Sequence, residues 1–171
     1  MKIFLAIILL ILASCKSDQK SKGNVVTEAE NYQIYSRVLE EEKKTYPTTR
    51  KFKISKITQA TDIEVWGLSE KDVGKELWSA RTDYSLKNKT PITLEPKFTT
   101  TDSYEFFAPD ETELQGGIRV FSQIGYNTDK TLAFVYSALS CEPFCGHGNY
   151  YIFSKKNENW ELKEIQKGWI S

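Results

Sequence analysis

The stretch TLAFVYSALS, Thr131 to Ser140, decides the fold. It is apolar at nearly every position, whether one counts odd or even residues. A strand with one wet face alternates, so this run reads as a strand covered on both faces, the centre of a sheet. Asn127-Thr128-Asp129-Lys130 in front of it is turn chemistry. Upstream, Ile118, Val120, Ser122 and Ile124 alternate with Arg119, Phe121 and Gln123, which predicts a strand burying the Ile118 face. Downstream, Tyr150-Tyr151-Ile152-Phe153 is the next strand, Lys156-Asn157-Glu158-Asn159 a turn, and Trp160 to Ile165 the last strand. Connections this short imply an antiparallel meander of about four to five strands.

The earlier half reads as helical. Thr27-Glu28-Ala29-Glu30 is a capping box. Tyr32, Tyr35, Val38, Leu39 and Tyr46 follow at helical spacing until Pro47, which predicts an amphipathic helix over Glu28–Tyr46 with Glu40 to Lys44 on its charged face. Phe52 to Ser55 alternates as a short strand. A second helix starts at Ser69 and carries Val73, Leu77, Ala80 and Tyr84 on one stripe, weakened by Gly74 and fading near Asn88. Helices first and strands later predict an α+β domain, residues 27–171, with the helices on one face of the sheet.

Of the 171 residues, 40% are hydrophobic and 27% charged, a globular composition for a single domain. Lys plus Arg and Asp plus Glu both number 23, so no basic excess is available to displace counterions from phosphate, and a nucleic-acid partner is not expected. The Walker and dinucleotide-binding glycine patterns are absent. Asp110 to Glu113 lacks calcium-ligand spacing and reads as a solvated loop. Trp66, Trp78, Trp160 and Trp169 read as core anchors rather than sugar-stacking platforms.

Lys2 precedes an unbroken apolar run, Ile3 to Ala13. As a helix it is about 16 Å long, half of a hydrocarbon core, so it reads as a signal-peptide h-region and not a membrane span. Leu12-Ala13-Ser14-Cys15 then resembles the lipobox of bacterial lipoproteins. That resemblance implies cleavage after residue 14 and a lipid on Cys15; no cofactor beyond this covalent lipid is expected. Lys16 stands where an aspartate marks inner-membrane retention in that family, so the resemblance favours the outer membrane over the inner. Lys16-Ser17-Asp18 faintly resembles the export tags of surface-exposed lipoproteins. Residues 15–26 form a polar tether spanning roughly 17–20 Å as a coil. The implied partners are the membrane, through the anchor, and an envelope protein or ligand.

Cys141-Glu142-Pro143-Phe144-Cys145-Gly146-His147-Gly148 holds both remaining cysteines and the single histidine. Four readings stand. The first is a Cys141–Cys145 disulfide, in keeping with an oxidising compartment, with Gly146 and Gly148 adopting backbone angles closed to other residues. Such a short loop contributes about 2 kcal/mol on the chain-entropy model. The second is a copper(I) or zinc site using Cys141, Cys145 and His147. CxxxC with histidine resembles the motif of thioredoxin-fold copper chaperones, which place the histidine elsewhere and follow the motif with a helix. The third is a thiol-dependent enzyme with a Cys145–His147 dyad. The fourth is two free thiols and an inert histidine. The C-terminal half, through Gly125-Tyr126-Asn127, Cys145-Gly146-His147-Gly148, Trp160 and Trp169-Ile170-Ser171, also resembles a group of bacterial secreted proteins. That resemblance implies a shared fold and brings no activity. With no catalytic set evident, the expectation is a non-enzymatic binding or accessory module of the cell envelope.

Overall fold

The computed structural model describes residues 26–46, 51–59, 69–99, 104–107, 117–140 and 146–170. The leader, Cys15, the tether up to residue 25, Trp66, Asp110 to Glu113, Cys141 and Cys145 lie outside them. The elements are α1 (Glu28–Thr45), β1 (Phe52–Ser55), α2 (Glu70–Val73), α3 (Lys75–Lys87), β2 (Tyr104–Phe107), β3 (Ile118–Phe121), β4 (Gly125–Tyr126), β5 (Leu132–Ser140), β6 (His147–Lys156) and β7 (Asn159–Ile170). The fold is α+β, as the order of helical and strand patterns predicts.

The capping box forms: Glu30 Oε2 accepts from the Thr27 N–H at 2.8 Å, and the Thr27 hydroxyl accepts from Glu30 N–H. Two of the four N–H groups that a helix start leaves without partners are thereby engaged at either end of one turn. Tyr32, Tyr35, Val38 and Leu39 are buried along one stripe of α1, whereas Tyr46 caps the helix half-exposed. The second helix is broken: Gly74 takes φ +82° and ends α2 after one turn before α3 restarts. Left-handed backbone at that joint suits glycine and interrupts the i to i−4 ladder.

Among the described residues one sheet holds seven strands, in the order β2-β1-β3-β5-β6-β7, with β4 also on β5. β3 and β4 pair with β5, β5 with β6, and β6 with β7, all antiparallel. The expected meander is thus present, at five strands. Beyond it, β1 pairs parallel with both β2 and β3, so the complete sheet is mixed. The β6–β7 hairpin turns on Asn157 and Glu158, both at positive φ, which matches the right-handed twist of the strands.

β5 sits inside the sheet and separates two cores. Ala133 and Val135 pack with Tyr32, Tyr35, Val38 and Leu39 of α1, and with Phe121, Tyr151, Phe153 and Trp160. Leu132, Phe134, Tyr136 and Ala138 pack with Ala80 and Tyr84 of α3, and with Ile152. The helices therefore cover opposite faces rather than one, which accounts for the two-sided apolarity of residues 131–140. At about 1.5–3 kcal/mol per large apolar side chain buried, both faces contribute to holding β5 in place. The α1 core is aromatic, with Tyr32, Tyr35, Phe98, Tyr104, Phe106 and Phe121 in contact at centroid distances of 4.9 to 6.0 Å.

β3 departs from its reading. Arg119 and Phe121 are the buried residues, while Ile118 and Val120 are only half-buried. The strand ends at Phe121 because Ser122 breaks the ladder: its N–H donates to Tyr136 C=O at 3.0 Å, and its hydroxyl, not its carbonyl, accepts from Tyr136 N–H at 2.9 Å. Pairing resumes at Gly125 opposite Phe134.

Candidate functional site

The segment between β5 and β6 carries the Cys-Gly-His-Gly corner. Cys141 and Cys145 lie outside the described residues. Gly146, His147 and Gly148 are within it. In the sheet, Leu139 lies opposite Arg119 on one side and His147 on the other, so Arg119 and His147 flank one position on the face under α1. The last turn of α1 adds Glu42.

Glu42 is 1% exposed and ion-paired with Arg119, itself 5% exposed. Tyr151 Oη donates to Glu42 Oε1 at 3.0 Å. His147 Nε2 stands 4.0 Å from Glu42 Oε2, too far for a hydrogen bond, and has no hydrogen-bond partner. The Tyr46 ring covers the imidazole at 4.4 Å between centroids. Burial, and secondly the neighbouring Arg119, hold the His147 pKa below its ordinary value, so the ring is neutral at pH 7. Burial lowers the Arg119 guanidinium to about 10, still charged at neutral pH. Burial pushes the Tyr151 hydroxyl up to about 12, so it remains a donor. The result is one carboxylate, one guanidinium, one neutral imidazole and one phenol, sealed beneath Tyr46. Both carboxylate oxygens are taken, one by Arg119 and one by Tyr151. Nothing in this arrangement offers a nucleophile or a free base to solvent.

The two glycines work on the opposite face. Neither takes positive φ, contrary to the expectation of special backbone angles; space is what they supply. A Cβ on Gly146 lies 2.8 Å from the Trp169 ring, and one on Gly148 runs into Tyr136 Oη and sits 2.6 Å from Trp169 Nε1. The indole lies across both glycines and donates to Tyr136 Oη at 2.6 Å. His147 is thus held between two glycines that face the indole, with its own side chain turned to Glu42 on the other side.

A place that is open to a ligand is a polar cleft of about 240 Å³ lined by Gln33, Arg37 and Glu40 of α1, Thr99, and Asn159 and Trp160 at the start of β7. Trp160 is buried, and its Nε1 has no hydrogen-bond partner. Trp78 is half-buried and Trp169 is 44% exposed, so only Trp160 of the described tryptophans is the core anchor that all four are expected to be.

Of the residues singled out from sequence, then, His147 is placed against a carboxylate on a different element. Glu42, Arg119 and Tyr151 were not singled out. Glu42 had a signal: it follows Tyr35 by seven residues and Val38 by four, on the apolar stripe rather than the charged face. Among the described residues no group of three or more His, Cys, Asp or Glu side chains is arranged to hold a metal ion. No helix among them is long and apolar enough to cross a membrane. No family model matches the chain, and neither a curated protein nor a solved structure matches it.

Proposed function

We propose that this chain is a lipoprotein of the bacterial cell envelope, acylated on Cys15 and held at the outer membrane rather than the inner, whose domain serves as a non-enzymatic binding or accessory module. The anchor rests on Leu12-Ala13-Ser14-Cys15 and the apolar run before it. The non-enzymatic reading is supported by one observation above the others: the cluster holding the single histidine is closed, its carboxylate fully engaged and its imidazole shut under Tyr46. The cleft beside Trp160, by contrast, is open and lined with donors and acceptors. Two or more acyl chains, at about 0.8 kcal/mol per buried methylene, hold such a module firmly.

The alternative use of Cys141, Cys145 and His147 for copper or zinc is less favoured, because a cation on His147 sits beside the Arg119 guanidinium. A thiol-dependent activity through a Cys145–His147 dyad is less favoured as well, because the imidazole that would act as its base is buried against Tyr46. Expression in a bacterial host with an alkyne fatty acid tests the main reading. Label on the wild type that disappears in Cys15→Ala, with release of the variant from the membrane fraction, is the expected result. An unlabelled wild type overturns it. Metal content of the reduced protein and the intact mass of the native protein address Cys141 and Cys145.

A further inference from the structure

The protein buries two arginines and treats them differently. Arg119 has Glu42. Arg81, on the inner side of α3, is 4% exposed, yet neither its Nε nor its Nη1 has a hydrogen-bond partner. Among the described residues no carboxylate forms an ion pair with it. The acids of its own helix are aimed elsewhere: Asp83 accepts from Tyr126 N–H at 2.8 Å and pairs with Lys87 at 2.7 Å, and Glu76 accepts from Asn127 at 2.5 Å. A buried, unpaired guanidinium costs several kcal/mol, and natural proteins keep one chiefly where something else neutralises it.

What does surround Arg81 is aromatic. Its guanidinium lies 5.5 Å from the centre of the Phe134 ring. Phe134 stacks on Tyr150 at 5.3 Å and 18°, Tyr150 meets Tyr136 at 5.0 Å, and Tyr136 receives the Trp169 indole N–H. This row runs from a buried cation at one end to the half-exposed Trp169 at the other. Burial lowers the Arg81 pKa, as expected of a charge without a counter-ion.

We propose that Arg81 is the anchor of a ligand site for an oxyanion, carboxylate or phosphate, carried on a flat organic body that lies against the partly exposed rings of Tyr150 and Trp169. The guanidinium supplies the charge-assisted hydrogen bonds that such an anion accepts, Tyr150 and Trp169 supply the stacking surface, and buried Phe134 and Tyr136 hold those two rings in place. This site is separate from the cleft beside Trp160 and does not depend on the lipid anchor.

The test compares wild type and Arg81→Met by thermal unfolding at constant ionic strength, in chloride, acetate, benzoate, inorganic phosphate and phenyl phosphate. In chloride, Arg81→Met is expected to unfold at the same or a higher temperature, since an unpaired buried charge has been replaced by a hydrophobic isostere. At a hundredfold excess over its Kd, the bound probe is expected to raise the wild-type midpoint by roughly 5–10 °C and that of the variant by nothing. Benzoate exceeding acetate, or phenyl phosphate exceeding phosphate, assigns the aromatic row; the better pair assigns the anion. If the variant does not fold, the Arg81 Nε–H resonance of the wild type serves instead, and it is expected to move on titration with the same probes. Absence of any probe-specific shift in the wild type overturns the proposal. So does a midpoint several degrees lower for Arg81→Met in chloride, which assigns the guanidinium to a carboxylate of the chain itself.

Discussion

Glu42→Ala is the most informative single change at the buried cluster. It removes the carboxylate facing Arg119, which is 5% exposed and cannot reach water without unpacking α1. Breaking one half of a buried pair costs about 3–5 kcal/mol, because the buried charge that remains loses its counter-ion. Tyr151 also loses its acceptor, worth about 1–3 kcal/mol for a buried hydroxyl. Since the two penalties share one site they do not add in full, and a loss of about 4 kcal/mol is expected. That is a large fraction of the total stability of a domain this size. Urea denaturation reads it as a lower midpoint with an unchanged slope. The triple variant Glu42→Met, Arg119→Met, Tyr151→Phe removes the charges and the orphaned hydroxyl together and is expected to recover all but about 1–2 kcal/mol. A loss below about 1 kcal/mol for Glu42→Ala, the size seen for exposed pairs, refutes the burial argument.

His147 makes stability depend on pH with a definite sign. Its pKa is lowered in the folded chain from an ordinary 6.5, so the unfolded state takes up a proton first as pH falls. The contribution is complete above about pH 6.5 and is lost below it, at up to about 1.4 kcal/mol per pH unit, until the folded imidazole titrates. The drop between pH 7 and 5.5 is expected to be smaller in His147→Gln than in the wild type; equal drops place the imidazole in water. Gly148→Ala drives a methyl into Tyr136 Oη and Trp169 Nε1, and is expected to cost about 1–3 kcal/mol by overpacking and to change the Trp169 fluorescence. Gly146→Ala meets the indole ring at 2.8 Å and the Leu139 carbonyl at 3.1 Å, contacts less close than the overlap at Gly148, and is expected to cost less; the reverse order contradicts the placement of the indole.

The parts of the fold written in local pattern were legible. The α1 cap, the Asn127 turn, the Asn157 turn and the doubly apolar β5 each follow from neighbouring residues, and each is found. What was not legible depends on distant partners. The parallel edge of β1 and β2 joins residues 52–55 to 104–107, and no short-range rule selects that pairing. The face of β3 was misread because Arg119, a charged residue, turns inward to meet Glu42 from a helix far away in sequence. The sheet side taken by each helix was misread although the clue lay in β5 itself, since a strand apolar on both faces needs a cover on both. At the corner, His147 stood out as a single histidine among cysteines, whereas the residue that defines its surroundings, Glu42, was hidden in a run of Glu and Lys. Trp169 explains the two glycines, and only tertiary geometry brings it to them.

The position of α1 has a consequence for how the chain comes into being. Glu42 and the tyrosine whose hydroxyl donates a hydrogen bond to it are 109 residues apart, and Trp160, in the same core, arrives later still. A ribosome or export channel that delivers the amino end first releases this helix long before its docking ground exists. Its tyrosines and leucine must wait uncovered while the hairpins of β5, β6 and β7 emerge, and every contact of that kind slows folding and invites wrong associations. Whatever escorts the newborn polypeptide therefore has one greasy stripe above all to shield, the one that begins at Tyr32.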